Sequence, residues 1–152
     1  MTTLGEFTGA SETFTSPRIF SNDTPITFNA GSSSAPCPSR ITVPSGIEKI
    51  GKVRVILRGF SHPSPSDGRF LLVGPNRKTS LLMSGAGVGG SRLTLRLDDD
   101  AAAEIPFRFG SGVYRPTPGD NSGRDMSSPA PPAPYNTQLS VYNGQPGTGI
   151  WS

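Results

Sequence analysis

The chain contains one histidine, and it lies in a segment whose residue types could support acid-base chemistry. His62 directly follows Ser61 and precedes Asp67 in the segment GFSHPSPSDG. Serine, histidine and aspartate are the side chains of a hydrolytic triad, in which the aspartate orients the imidazole and the imidazole activates the serine. The segment therefore raises the question of whether the chain carries a hydrolytic site.

The spacing of these residues argues against catalysis. Ser61 and His62 are neighbours at the end of a predicted strand, so their side chains should point to opposite faces. Asp67 and Gly68 form a favoured turn pair after PSPS. The chain contains no second histidine and no G-x-S-x-G segment. We therefore predict no catalytic residue in this chain.

A run of acidic residues is the stronger candidate for a binding site. Asp98, Asp99 and Asp100 follow the predicted strand RLTLRL, with Glu104 nearby. Carboxylate oxygens at a strand end are suitable ligands for calcium, although the spacing differs from that of an EF-hand loop. The alternative is an acidic loop that is simply solvated. Calcium is thus the one candidate cofactor, with Asp98, Asp99 and Asp100 as its weak candidate ligands.

Four arginines could form a basic stripe if two of the predicted strands are neighbours. Arg54 and Arg58 alternate along one strand, and Arg92 and Arg96 along another. Single-stranded nucleic acids are usually bound by aromatic side chains interleaved with the basic ones, and these strands lack that pattern. The formal net charge of +3 is also small. We predict solvated arginines and no nucleic-acid partner.

The elements that must position these residues are strands. The chain has 152 residues, of which 19 are Gly and 16 are Pro, and its apolar residues fall in short runs separated by turn formers. Periodicity predicts nine strands and the start of a tenth at GIWS, and no stretch of useful length has helical periodicity. The nine predicted strands cover residues 12–20, 24–30, 39–43, 52–60, 70–74, 79–84, 92–97, 109–116 and 138–144.

Alternation within these strands indicates which residues are buried. In KVRVILRGF and RLTLRL, every second side chain is apolar, as expected for strands with one face in the core. The segments FLLVG and TSLLMS read as a hairpin that is buried on both faces. The predicted core consists of Val53, Val55, Leu57, Leu71, Leu72, Leu93, Leu95 and Trp151.

Several separated blocks of the sequence resemble one known family. The blocks are GFSHPSPSDG, LLVGP, LLMS, LTLRLDDD, SGVYRP and NGQPGTGIWS, in this order. Together they resemble the proprotein convertase P domain and its bacterial relatives, over residues from about Phe14 to Ser152. The resemblance implies an all-β fold, a jelly-roll (galactose-binding-like) β-sandwich over residues 12–152, preceded by an N-terminal extension over residues 1–11.

The resemblance also implies a function. P domains accompany subtilisin-like serine proteases or recur in secreted and surface proteins, and protease chemistry lies in a separate catalytic domain. We therefore expect a non-catalytic accessory module of an exported multidomain protein, extracellular or at the cell surface, whose partners are neighbouring domains. The alternative is a surface binding or adhesion module that recognises carbohydrate or protein. In such domains the counterparts of His62 and Asp67 belong to a structural loop.

One departure from the family pattern concerns the end of the chain. Family members continue past the Trp-Ser pair with two further strands, and here these strands are absent. We therefore predict a truncated sandwich with an open edge and an uncovered core beside Val141 and Trp151. No segment of the sequence is long and apolar enough to predict a membrane span or a signal peptide.

Overall fold

The computed structural model describes residues 2–8, 17–28, 34–62 and 64–152, and they form an all-β arrangement. In these ranges the only helical segments are three short 3₁₀ helices, Pro65–Asp67, Gly119–Asn121 and Leu139–Tyr142. The strands are β1 (Thr2–Thr8), β2 (Arg18–Asn22), β3 (Ile41–Val43), β4 (Lys52–Val53), β5 (Val55–Phe60), β6 (Arg69–Val73), β7 (Thr79–Ser84), β8 (Val88–Gly89), β9 (Leu93–Leu97), β10 (Arg108–Phe109), β11 (Gly112–Tyr114) and β12 (Gly149–Trp151).

The largest sheet has six strands. Its order is β11-β9-β5-β1-β2, and β4 pairs with the end of β1. β9 is antiparallel to β5, with Leu57 opposite Leu95, and parallel to β11. β1 pairs with β2, β4 and β5, so residues 2–8 form a strand within this sheet. Residues 2–8 of the predicted N-terminal extension therefore contribute to the fold, because their backbone pairs with the sheet.

A second group of strands is assembled from shorter pairings. β3 pairs with β12, and β6 pairs with β7, in each case antiparallel. Val73, at the end of β6, exchanges two backbone hydrogen bonds with Ser152, which directly follows β12. These bonds place β3, β12, β6 and β7 side by side.

The two groups of strands share one hydrophobic core. Of the predicted core residues, Val53, Val55, Leu57, Leu72, Leu95 and Trp151 are buried in it. Leu93 is half-buried and packs against the core. Leu71 is also half-buried but lies outside the cluster. Only Leu72 is fully buried in β6, whereas every residue of β7 is buried, so burial on both faces was a wrong prediction for β6.

The strand β7 has hydrogen-bonded neighbours on both edges. β6 pairs along one edge, and isolated bridges join Ser80 to Asn136 and Met83 to Thr117. The amides of Leu81 and Ser84 donate to the carbonyl groups of Asn136 and Thr117. These segments border the long Pro- and Gly-rich loop, which therefore begins and ends at β7.

Several predicted elements differ from those observed. The predicted strand 52–60 is interrupted at Arg54, and 109–116 is represented by the short strands β10 and β11. In 24–30, the described residues make only one bridge, from Thr27 to Ala35, and residues 29–30 lie outside the described ranges. In 12–20, the strand begins at Arg18, and residues 12–16 also lie outside them. Within the predicted strand 138–144, Leu139–Tyr142 form a 3₁₀ helix instead, and Asp99 binds the amides of its first turn.

The end of the chain is packed differently from the prediction. Trp151 has no exposed surface, and its indole Nε1 donates to the carbonyl oxygen of Gly147 at 2.8 Å. Its ring meets that of Tyr142 edge-on, with centroids 4.8 Å apart. Val141 is partly buried against the same core. The expectation of an uncovered core beside Trp151 is therefore wrong for the described residues.

Among the described residues, none of the helices has the length and apolar character needed to cross a membrane.

Candidate functional site

The loop that contains His62 is held by local contacts. The Nδ1 atom of His62 accepts a hydrogen bond from the amide of Ser64 at 3.1 Å. The imidazole also meets the ring of Phe28 edge-on, with centroids 4.7 Å apart. One nitrogen of the imidazole and its ring contact with Phe28 therefore help to hold His62 in place.

Ser61 and Asp67 have partners of their own. Ser61 Oγ accepts a hydrogen bond from the amide of Arg92 at 2.8 Å, which joins this loop to the start of β9. Asp67 is exposed at the end of a 3₁₀ helix, where its carboxylate accepts from Ser66 Oγ. In these contacts the three side chains use separate partners, and the aspartate does not orient the imidazole as a triad requires.

Asp98 is the centre of an ion-pair cluster on the six-stranded sheet. Lys52 forms a salt bridge with Asp98 Oδ1 and also binds Asp100. Arg54 Nε donates to Asp98 Oδ2 at 2.7 Å, and a guanidinium nitrogen of Arg96 lies 3.7 Å from the same oxygen. Since β5 directly follows β4 in the chain and pairs with β9, basic residues of these neighbouring segments converge on this one carboxylate.

The ionisation of Asp98 reflects this surrounding charge. Burial opposes the charged form, but hydrogen bonds from Lys52, from the amide of Asp100 and from Arg54 outweigh it, and the pKa falls from 3.8 to about 2. Asp98 is only 6% exposed. Charge-assisted hydrogen bonds from these donors hold the buried carboxylate in its ionised form.

Asp99 binds a distant segment of the chain. Its Oδ1 accepts from the amide of Leu139 at 2.9 Å, and its Oδ2 accepts from the amide of Ser140 at 2.7 Å. These amides begin the 3₁₀ helix Leu139–Tyr142 and would otherwise lack partners. Asp99 therefore caps that helix from elsewhere in the chain.

The acidic block is thus engaged in protein contacts. Asp98 and Asp100 bind basic side chains and Asp99 binds backbone amides. Across the ranges that the structure describes, no group of three or more His, Cys, Asp or Glu side chains could hold a metal ion. The calcium prediction therefore has no ligand set in this part of the protein.

We predicted that all four arginines of the possible basic stripe are solvated, but two of them are half-buried beside Asp98. Arg54 and Arg96 are drawn to Asp98. Arg58 is exposed in β5, and Arg92 is exposed with a φ of 55°, which places it in a turn before β9. The stripe is therefore not a row of equivalent, outward-facing cations.

An apolar cavity, which was not predicted from the sequence, lies between β5 and β6. Its volume is about 430 Å³. Its walls include Phe28, Phe60 and Phe70, whose rings meet edge-on in a chain with centroid distances of 5.3 and 5.7 Å. These residues come from different parts of the sequence, so no periodic pattern could have revealed the cavity.

Part of the cavity wall is formed by the long Pro-rich loop, and Arg69 holds this loop in place. The guanidinium of Arg69 donates to the carbonyl oxygens of Asn121, Arg124 and Asp125 at 2.7 to 2.9 Å. Tyr135 Oη accepts from the amide of Met126 and donates to the carbonyl of Pro131. The loop is therefore held against the sheet by specific hydrogen bonds.

Comparisons with protein-family models, curated proteins and solved structures found no match to this chain.

Proposed function

We propose that this protein is a non-catalytic accessory module of an exported multidomain protein. In this proposal it is a jelly-roll, galactose-binding-like β-sandwich of the P-domain type, and it assists the folding and stability of a subtilisin-like catalytic domain. The resemblance of its sequence blocks to P domains supports the proposal, and so does the all-β arrangement with two groups of strands around one core.

The proposal that the module is non-catalytic rests on the hydrogen bonds and ion pairs made by its potentially reactive side chains. His62 accepts from the amide of Ser64, Ser61 accepts from the amide of Arg92, and Asp98 binds Lys52 and Arg54. In these contacts His62, Ser61 and Asp98 hold loops and strands together. These hydrogen bonds and ion pairs support a structural function for the three side chains.

The experiment is to read the gene on both sides of this chain and to express the whole reading frame. We expect a subtilisin-like catalytic domain in the same polypeptide. Deletion of residues 1–152 should lower the yield of active protease, while kcat/KM of the surviving enzyme stays the same, since the module supports folding and does not take part in the reaction. A reading frame of repeated surface modules would instead support the alternative, an adhesion module.

A fluorophosphonate probe tests the non-catalytic part directly. Such probes label activated serines, and we expect no label on the purified chain. A label that is lost in both the Ser61→Ala and His62→Ala variants would contradict the proposal.

A further inference from the structure

We infer that the cavity between β5 and β6 binds a small carboxylic acid with an apolar body, such as a medium-chain fatty acid. This inference concerns a ligand site and does not depend on the proposed accessory function. It rests on the size, the apolar walls and the unbalanced charge of the cavity.

The size and the walls fit a small apolar molecule. A volume of about 430 Å³ lies within the range of roughly 300–1,000 Å³ that is usual for ligand pockets. The walls are mainly aliphatic and aromatic, and they include Phe28, Phe60 and Phe70, whose rings contact one another. Removing an alkyl chain from water into such walls is favourable in proportion to the area that is buried.

The charge of the lining selects for an anion. The part of the lining that the structure describes contains three arginines, Arg58, Arg69 and Arg77, and no aspartate, glutamate or lysine. Among the described residues, Arg58 and Arg77 have no ion-pair partner, and both are exposed. Arg69 is bound to neutral carbonyl oxygens, which leave its charge uncompensated. A carboxylate near these guanidinium groups would be stabilised by charge-assisted hydrogen bonds.

The composition of the lining argues against a sugar at this position. Sugars need many directional hydrogen bonds from amide and carboxylate side chains, and the described residues of this lining include no asparagine, glutamine, aspartate or glutamate. Its neutral polar side chains are serines and Cys37. A single anionic head with a long apolar tail fits these groups better.

Titration calorimetry with dodecanoate, kept below the concentration at which it aggregates, tests the inference. We expect saturable binding of one dodecanoate per chain, weaker binding of dodecanol and no binding of dodecyltrimethylammonium, because only the carboxylate complements the arginines. Failure of dodecanoate to bind, or equal binding of all three compounds, would overturn the inference.

Variants of the exposed arginines test the role of charge without disturbing the core. The Arg58→Glu/Arg77→Glu variant should bind dodecanoate at least about tenfold more weakly. Arg108→Glu is the matched control, since Arg108 is exposed and lies outside the cavity, and it should bind like the wild type. An equal loss in both variants would point to overall charge and would contradict the cavity site.

The only cysteine allows the site to be located. Cys37 is exposed and lies in the cavity lining, so bound dodecanoate should slow its alkylation by N-ethylmaleimide. Binding that leaves the alkylation rate unchanged would place the ligand elsewhere and overturn the inference. Sedimentation with anionic vesicles, in the absence of dodecanoate binding, would assign the arginines to a membrane surface and overturn it as well.

Discussion

At the scale of single residues, one carboxylate makes several ionic contacts in a chain with few apolar residues. Asp98 joins β4, β5 and β9 through Lys52, Arg54 and Arg96. Such a cluster holds the sheet together only while the carboxylate is ionised. Its contribution to stability must therefore depend on pH.

We predict an acid-sensitive contribution from Asp98. Its pKa is about 2 in the fold against an ordinary value of 3.8, so its ionised form stabilises the protein above about pH 4 and this stability is lost as the pH falls towards 2. The shift corresponds to about 2 kcal/mol. Urea unfolding of wild type and Asp98→Asn should therefore give a difference in the free energy of unfolding that shrinks below about pH 4.

The control for this experiment is Asp120→Asn. Asp120 is exposed and makes no ion pair with the described residues. Its variant should differ little from the wild type at any pH. A difference between wild type and Asp98→Asn that does not change with pH would contradict the assignment.

A second residue-level prediction concerns Gly87, where β8 and β10 approach closely. A Cβ atom at this position would overlap the carbonyl oxygen of Phe107, which accepts a hydrogen bond from the amide of Val88. Because the obstacle is backbone, Gly87→Ala should lower the free energy of unfolding by about 1–3 kcal/mol. Gly110→Ala, where a Cβ meets no atom within 4 Å, should be neutral or slightly stabilising. Equal unfolding midpoints for the two variants would contradict this account.

At the scale of elements, the 3₁₀ helix Leu139–Tyr142 shows how a distant partner can override a local pattern. Asp99 binds its first amides, and Tyr142 Oη donates to the carbonyl oxygen of Leu72 at 2.7 Å. Both contacts join segments that are far apart in the chain. The helix is therefore stabilised mainly by tertiary contacts, as short helices generally are.

We predict that Asp99 is the most important residue of the acidic block for this helix. Removal of its carboxylate by Asp99→Ala leaves two amides without their charged acceptor, at a cost of about 2 kcal/mol in the free energy of unfolding. Asp100→Ala is the matched control, because that side chain is 82% exposed and its ion pair should be worth little. Chemical denaturation of both variants provides the comparison, and similar losses would refute the capping role.

Calcium binding can be tested at the same element. Since the carboxylates of Asp98, Asp99 and Asp100 are engaged with cations and amides, millimolar calcium should leave the thermal midpoint of the wild type unchanged. Only a ligand that prefers the folded state raises the midpoint. A calcium-dependent increase in the thermal midpoint that disappears in Asp99→Ala would support a calcium site at the acidic block.

At the scale of the whole molecule, the last strand completes the core. β12 pairs with β3, Ser152 extends the pairing to Val73, and Trp151 is fully buried against Tyr142. Trp151 is the only tryptophan in the chain. Its fluorescence therefore reports on the packing of the two groups of strands.

We predict that native Trp151 emits at short wavelength, is poorly quenched by acrylamide and shifts to longer wavelength on unfolding. Trp151→Ala should cost about 3–5 kcal/mol, measured by circular dichroism during denaturation. Ile150→Ser, in the same strand but 56% exposed, should change stability by no more than about 0.5 kcal/mol. An exposed native emission would favour the uncovered core that we expected from sequence.

The sequence by itself determined the all-β class and many of the core positions. Alternation in β5 and β9 identified Val55, Leu57 and Leu95 as buried, because a strand exposes every second side chain to the same face. This information is local, and it could be read without knowing which strands are neighbours. It could not show that Leu71 is only half-buried, since that depends on what covers the other face of β6.

Only the tertiary structure decided how residues far apart in sequence meet. Residues 2–8 lie within the six-stranded sheet, and Asp98 binds Lys52 and Arg54. Asp99 binds the first turn of a 3₁₀ helix in a segment that was predicted to be a strand. The tertiary structure also forms a cavity from segments that have no common pattern. The physical reason is that each of these features depends on long-range partners, whereas periodicity records only the faces of a single strand.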